Sequence, residues 1–398
     1  MRDEFQSSVQ NLGKPRWQSF LNQVISLHED SIHAPCYGLP YRWEETSPSR
    51  ELGIHFGHWD SVHVALDALA IGSKHGIQQI LNTLSLQDGN GMIPGHLGIV
   101  DYKMKWTTKS TFPPLWPMAI HNYLTQCANE ELIQYCYRCL VKQIEWFEKE
   151  RRGEDDGFYY LDYLDRIWES GVEGGVRYDI SPDDTIDTLA CIDATSHVYS
   201  LYRHASMWAD LIGEEPEKWV TKGLDLKSFI ENELFNEQKG YFFDQWVVEN
   251  PEKEIITFEG MWPIFVGAAS NEQAQRVINE YLLSHKHFFT PHPIPTLSLS
   301  SPHYSNVSWR GPTYNSMTYW AAQGCIHYHR LDAAKHLLER ALDATAEKFE
   351  QTGFIWECYD PTKGNPKEIT RHPLDYPSKN HLGHNPLIAM AKLYDEIP

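Results

Sequence analysis

The stretch Leu331–Glu350 reads LDAAKHLLERALDATAEKFE. Its apolar residues recur at spacings of three and four, as in Leu337, Leu338, Ala341 and Leu342. That spacing puts the apolar side chains on one face of an α-helix and the charged side chains on the opposite face. The stretch therefore predicts an amphipathic helix over residues 331–350.

The same periodicity recurs along most of the chain, whereas the alternation typical of β-strands is scarce. It predicts further helices over residues 60–73, 75–86, 117–126, 129–149, 185–213, 224–235, 271–284, 314–329 and 385–396. Long segments that hold many of the Gly, Pro and aromatic residues separate these helices at residues 87–116, 150–184, 236–264 and 285–313. Loops of that length in a compact chain are usually functional.

Helix pairs follow one another along the chain, but no strict repeat and no Ser/Gly/Pro-rich linker divides it. Open solenoids keep a fixed repeat length, so we expect a closed ring of helical hairpins instead. The predicted fold is all-α, an (α/α)6 barrel with its long loops on one rim and its site at the centre. We predict one catalytic domain over residues 1–398, in which residues 1–54 form an N-terminal segment that packs on the barrel.

Composition narrows the class of ligand. The 398 residues carry a formal net charge of −20, which would repel a nucleic-acid backbone or an anionic membrane. The 14 Trp and 21 Tyr are residue types that stack on sugar rings and hydrogen-bond to them. We therefore expect a small carbohydrate as the partner, and the sequence leaves homo-oligomer formation open.

The start of the chain and its cysteines bear on location. The first six residues are polar and charged, and no segment approaches the length of a membrane-spanning helix. The seven cysteines are odd in number and lack a disulfide framework spacing, which favours reduced thiols and a cytoplasmic location. Cys136 and Cys139 form a C-x-x-C pair, but it lies in a helical pattern without a second pair or a histidine at zinc spacing. We expect neither a metal nor another cofactor.

A second stretch, WESGVEGGVRYD at residues 168–179, bears on function. Its glycines allow close approach of the backbone to a ligand, and Glu169, Glu173 and Asp179 lie within one short span. Carboxyl groups crowded in this way perturb one another's pKa values. Taken alone, the stretch is either a ligand site or a solvated acidic turn.

This stretch resembles the W-E-S-G-x-D-N-S-P-R signature of glycoside hydrolase family 63, the family of mannosylglycerate hydrolases and processing α-glucosidases, to which the trehalases of family 37 are related. Other blocks resemble the family in the same order: HWD (58–60), QDGNGMIP (87–94), STFPP (110–114), WRGPTYN (309–315) and WECYDPTKG (356–364). The resemblance extends over about residues 55–395 and so takes in nearly the whole chain.

The resemblance implies an (α/α)6 barrel that hydrolyses a glycosidic bond with inversion. By position, Glu173 corresponds to the general acid of the family and Glu357 to its general base. The family acid is normally Asp, and Gly174, Gly175 and Val176 replace its Asn-Ser-Pro, so the identity of the substrate does not carry over. The implied class is a small α-linked glucoside or mannoside, such as a disaccharide or a glyceryl or glycerate conjugate.

Inverting hydrolysis needs a protonated acid at the leaving oxygen and an ionised base that holds water on the opposite face, with carboxyl groups about 6.5–9.5 Å apart. We expect Glu169, Asp179 or an apolar wall from Trp168 to raise the pKa of Glu173. Glu357 has to stay ionised.

The remaining candidates are substrate-binding residues. Trp59 with Asp60, and Trp309 with Arg310, each combine a stacking surface with a charge, although a helix N-terminus and a cation–aromatic pair are the respective structural alternatives. Arg177 either orients a substrate hydroxyl or neutralises Glu169. Further candidates within the matching blocks are Gln87, Trp168, Gly171, Gly311, Tyr314 and Asn315.

Two other functions remain open at this point. The 20 histidines, and the pair His381 and His384 in particular, would suit a barrel epimerase or isomerase that moves protons at a sugar carbon. The altered acid loop would suit a barrel that binds carbohydrate without turning it over.

Overall fold

A computed structural model describes residues 2–100, 103–106, 110–127, 129–153, 156–161, 169–179, 190–245 and 254–398. The α-helices within these ranges are, in chain order, α1 Arg2–Val9, α2 Gln18–Asp30, α3 His58–Ala70, α4 Lys74–Leu84, α5 Trp116–Gln126, α6 Glu130–Glu150, α7 Ile192–Leu211, α8 Glu217–Glu233, α9 Trp262–Val266, α10 Asn271–Val277, α11 Asn315–His327, α12 Leu331–Thr352 and α13 Leu387–Glu396. A π-helical turn over Ile278–Leu282 continues α10.

The odd-numbered helices from α3 to α13 form the inner ring of a barrel. Each of them contacts the next, and α13 contacts α3, which closes the ring. The inner helix α7 is buried on nearly all sides by its neighbours, with fifteen of its 20 residues buried. The predicted (α/α)6 barrel is confirmed.

Outer helices cover this ring. Helices α4, α6, α8 and α12 each contact the inner helix that precedes them in the chain, and α2 packs on α12 and α13. Local signals set several ends: the Ser73 side chain caps α4, Ser270 and Gln273 form a capping box at α10, and Gly353 ends α12 in a left-handed conformation at φ 72°. The N-terminal segment thus supplies one helix of the outer layer.

The sequence predictions place most helices within a few residues of their observed ends, with three differences. Helices α1 and α2 were not predicted, α8 begins at Glu217 rather than at residue 224, and α9 lies in a segment predicted as a loop. Helix α9 has only five residues with Pro263 near its start, which is too short for a 3.6-residue period to show. The first residues of the helix predicted over 185–213 lie outside the described residues.

The described part of the chain also contains three small antiparallel sheets. They comprise β1 Ile32–His33 with β2 Trp43–Glu44, β3 Ile54–Gly57 with β4 His96–Val100 and β5 Lys103–Trp106, and β6 Phe235–Asn236 with β7 Tyr241–Phe242. Strand β3 leads directly into α3, and its pairing with β4 sets Gly57 opposite His96. No helix in the described residues is long and apolar enough to cross a bilayer.

Candidate active site

A cavity of about 400 Å³ lies beside the segments that lead into the inner helices α3, α5 and α13. Its lining combines carboxylates, histidines, an arginine and apolar groups. The lining residues are Leu52, His55, Trp59, Asp60, His96, Ser110, Phe112, Gly171, Glu173, Glu357, Arg371, Pro373, His381 and His384. Both predicted catalytic glutamates therefore face the same space.

Glu173 is held on its loop by two contacts from the WRGPTYN block. The Trp309 indole Nε1–H donates a hydrogen bond to Glu173 Oε2 at 2.6 Å, and the Arg310 Nε donates to the Gly174 carbonyl at 2.6 Å. Burial raises the pKa of Glu173 and the charge of Glu357 adds to this, against the opposing effects of Arg371 and of the Trp309 hydrogen bond. The net result favours a protonated carboxyl group.

Trp309 itself adopts an unusual backbone conformation, with φ at 62°. A non-glycine residue in this region carries a steric cost and persists where its surroundings fix it. Its ring stacks on that of Tyr314, with centroids 3.8 Å apart and planes 8° from parallel. The stack fixes the indole N–H that meets Glu173.

Glu357 is buried with a cationic partner. Arg371 Nε donates to Oε1 at 2.7 Å, and the Ser378 backbone N–H donates to Oε2 at 3.0 Å. Burial alone would raise the pKa of Glu357, but Arg371, with His381 and the Ser378 amide, outweighs it and holds the pKa below its ordinary value. Two carboxyl groups on one cavity are thus shifted in opposite directions.

Glu169 does not perturb Glu173 in the expected way, because its charge is neutralised. Arg151 donates to both carboxylate oxygens, at 2.7 and 2.9 Å, and the backbone N–H groups of Thr111 and Leu161 add two further hydrogen bonds. Burial of the Glu173 carboxyl group and the charge of Glu357 raise its pKa instead. Trp168 and the Asp179 side chain lie outside the described residues.

Arg177 does not neutralise Glu169, which pairs with Arg151 instead. Its guanidinium pairs with Asp193, with a closest approach of 2.9 Å, and with Asp244 at 2.6 Å. The two carboxylates lie on α7 and after β7, so the pairing ties the acid loop to the barrel wall. Arg177 is absent from the cavity lining, and its contact with substrate stays a prediction.

Three predicted binding residues line the cavity. Trp59 is buried, and its Nε1 has no hydrogen-bond partner among the described residues. Burial, with the nearby charges of Glu173 and Glu357, raises the pKa of Asp60 to about 8. Gly171 has φ at 74°, and a Cβ there would lie 3.6 Å from the Trp59 ring.

Gln87, Gly311, Tyr314 and Asn315 are absent from the cavity lining. The Gln87 amide donates to the carbonyls of Gly91 and Cys139, which makes it part of its turn. The Tyr314 hydroxyl bonds to Ser308, and Asn315 is hydrogen-bonded to His292, Thr345 and Asn385. A Cβ on Gly311 would lie 2.3 Å from the Ser305 carbonyl, so this glycine serves chain packing.

Arg371, His55 and His96 also line the cavity, and the sequence pattern did not predict them. Arg371 lies in none of the matching blocks, and an isolated basic residue in a loop carries no spacing signal. His55 and His96 meet through the pairing of β3 with β4, with ring centroids 5.3 Å apart. Only the fold brings these side chains to the two carboxylates.

Comparison with known proteins places the chain among carbohydrate-active enzymes. The model of the mannosylglycerate hydrolase MGH1-like glycoside hydrolase domain matches residues 54–376. An uncharacterized protein of Borreliella burgdorferi is 26% identical over 293 residues, 71% of this chain and 58% of that protein. A periplasmic trehalase of Salmonella newport is 23% identical over 176 residues, 44% of this chain and 30% of the trehalase. The chain thus spans well under two thirds of the length of these relatives.

Solved structures share the fold. The GH63 mannosylglycerate hydrolase from Thermus thermophilus, in complex with Tris, superposes with a TM-score of 0.72 at 17% identity, covering 94% of this chain and 99% of that one. The neutral trehalase of Saccharomyces cerevisiae superposes with a TM-score of 0.67 at 14% identity, covering 89% and 74%. These likenesses agree with the barrel described above.

Proposed function

Because the chain belongs to the family of MGH1-like glycoside hydrolases, we propose that it hydrolyses a small α-linked glycoside with inversion. Glu173 is the general acid and Glu357 the general base. The substrate class is a terminal α-linked glucose or mannose on a small aglycone, such as a second sugar, glycerol or glycerate.

One observation carries this proposal: two carboxyl groups on one cavity have pKa values shifted in opposite directions, upward for Glu173 and downward for Glu357. Such a pair supplies an acid and a base in the same pH range. The Glu173 proton passes to the leaving oxygen as the glycosidic bond breaks. Glu357 removes a proton from the water that attacks the anomeric carbon on the opposite face, so the configuration inverts.

The cavity supports a small substrate. Its volume of about 400 Å³ lies at the lower end of the range for small-molecule sites. Trp59 offers an aromatic surface for a sugar ring, and Asp60 offers hydrogen bonds to its hydroxyl groups. A cavity of this volume suits the end of a glycoside better than the middle of a polymer, so we propose removal of a terminal sugar.

We include a cytoplasmic location in the proposal. All seven cysteines are free thiols, which suits a reducing compartment. Fractionation of the native host, with the protein followed by antibody, tests this point separately from activity.

Proton NMR of the anomeric region tests the reaction. The purified enzyme is mixed with a panel of α-linked glucosides and mannosides, and the first product signal is followed before mutarotation. We expect initial release of the β-anomer, and initial release of the α-anomer would contradict inversion. An epimerase would instead move deuterium from solvent onto a sugar carbon without hydrolysis, a reading that the family match does not favour.

A further inference from the structure

Three metal-ligating side chains meet in the cavity wall. His384 Nε2 lies 3.6 Å from Asp60 Oδ1. One ligand atom from each of Asp60, His381 and His384 lies within 4.8 Å of the other two. Two histidines and one carboxylate are a donor set that binds divalent transition metals. The inverting mechanism requires no such ion, so metal binding by this cluster goes beyond the reaction as proposed.

The loop that carries the two histidines is fixed by backbone contacts. The Leu382 N–H donates to the Thr46 carbonyl at 2.8 Å, and Asn385 Nδ2 donates to the His381 carbonyl at 2.7 Å. The Gly383 carbonyl accepts from His63 Nδ1 at 2.8 Å, a tautomer set by the Trp320 indole N–H donating to His63 Nε2. These contacts hold the loop in place, so both imidazoles face the cavity without rearrangement of its backbone.

The histidines have ring nitrogens available to a ligand. His381 is 3% exposed, and neither of its ring nitrogens has a hydrogen-bond partner in the described part of the chain. A buried polar atom without a partner is costly and calls for an explanation such as a bound ion. His384 pairs Nδ1 with the Ser316 hydroxyl at 3.1 Å, which leaves Nε2 toward Asp60. A partner on the second nitrogen is the usual support of a metal-bound histidine.

Gly383 has no side chain to fill the gap between these groups. A Cβ at Gly383 would lie 2.6 Å from Asp60 Oδ1 and 2.9 Å from His381 Nε2, so the glycine keeps this volume free. Bound zinc ligands lie about 2.0–2.2 Å from the metal and so about 3.4 Å from one another in a tetrahedral site, and ligand atoms 4.8 Å apart would draw together by about 1.4 Å on binding.

We propose that Asp60, His381 and His384 bind a divalent transition-metal ion of the Zn²⁺ class. Nitrogen donors disfavour Ca²⁺ and Mg²⁺, which prefer oxygen ligands. Three protein ligands leave coordination positions open toward the cavity, and water fills them. The ion occupies the position of the Asp60 hydrogen bonds to sugar, so it competes with a glycoside.

Isothermal titration calorimetry of the chelator-treated full chain with ZnCl₂ at pH 7 tests the site without substrate. We expect saturable binding of one ion per chain, and Co²⁺ should give the visible absorption bands of a nitrogen- and oxygen-bound ion. His381→Ala, His384→Ala and Asp60→Asn should each weaken Zn²⁺ binding at least tenfold. Ser316→Ala should weaken it by about tenfold through the ring it orients.

His55→Ala is the matched control, since His55 lines the same cavity outside the cluster. It should leave the Zn²⁺ affinity unchanged. The proposal is overturned by the lack of one-to-one binding, or by an equal loss of affinity in the control variant. His381→Gln, checked by circular dichroism, separates lost ligation from lost folding. Because no glycoside is present, failure of this site and failure of the hydrolase proposal are distinguishable.

Discussion

Two buried glutamates, Glu169 and Glu357, each pair with an arginine, but their surroundings differ. Glu169 accepts four hydrogen bonds from Arg151 and two backbone amides, and it lies outside the cavity lining. Glu357 accepts one from Arg371 and one from Ser378, and it faces the cavity. A carboxylate has about four acceptor sites, so Glu169 is saturated while Glu357 keeps capacity for a water molecule. A glutamate–arginine pair thus fixes a loop at Glu169, whereas at Glu357 the carboxylate stays available for catalysis.

The largest effect should come from Glu357→Gln. The amide cannot accept a proton from water, so kcat should fall by about 10³–10⁴-fold if Glu357 is the base. Steady-state kinetics on the glycoside identified by NMR measures this. Glu259→Gln is the matched control, because Glu259 is a buried glutamate outside the cavity lining. Equal losses in both variants would remove Glu357 from its proposed role.

Glu169→Gln should affect stability before rate. It leaves Arg151 buried without its counter-charge, which should lower the free energy of unfolding by about 3 kcal/mol. Urea unfolding followed by circular dichroism measures the loss, and kcat per folded molecule should fall less than for Glu357→Gln. A variant with unchanged stability and abolished turnover would reverse the comparison between the two glutamates.

Arg371→Met should move the pH dependence. Activity needs ionised Glu357 above its lowered pKa and protonated Glu173 below its raised pKa, so kcat/KM should follow a bell-shaped curve. The Arg371 charge lowers the pKa of both carboxyl groups. Its removal should therefore shift both limbs of the curve to higher pH and lower kcat about 10–100-fold. A shift of the acidic limb alone would show that Arg371 acts only on Glu357.

Trp309→Phe should have the smallest effect. Phenylalanine keeps the stack on Tyr314 but loses the hydrogen bond to Glu173. That hydrogen bond lowers the pKa of Glu173, so the alkaline limb should move to higher pH while the acidic limb stays. The loss in stability should be about 1 kcal/mol. A pH–rate profile beside a thermal melt checks both expectations, and Tyr314→Phe serves as a control that keeps the indole.

Much of the fold was predictable because helical periodicity is a local property. The 331–350 pattern gives α12 almost to its ends. Helix α9 was missed because five residues are too few to show a period. Its place in the inner ring depends on contacts with α7 and α11, which a local pattern does not contain.

The site residues were predictable only where the order of the matching sequence blocks identified them. Glu173 and Glu357 stand in quoted blocks and share a cavity, whereas Arg177 stands in the same block and pairs with Asp193 and Asp244 instead. Their charges alone did not show which of these residues line the cavity, because elements distant in sequence set the partner of a buried arginine. Arg371 was not predicted for the same reason, because its role depends on its ion pair with Glu357.

The closure of the ring has a consequence for synthesis on the ribosome. Helix α2 packs on α12 and α13, and the Gly13 N–H donates to the Asp395 carboxylate at 2.8 Å. Helix α2, with its buried residues Phe20, Leu21 and Val24, is synthesised before α12 and α13 and is packed against them only once they emerge. Between these two points, the nascent chain exposes part of the apolar surface of α2. During that interval the exposed surface of α2 is accessible to chaperones, before α12 and α13 cover it.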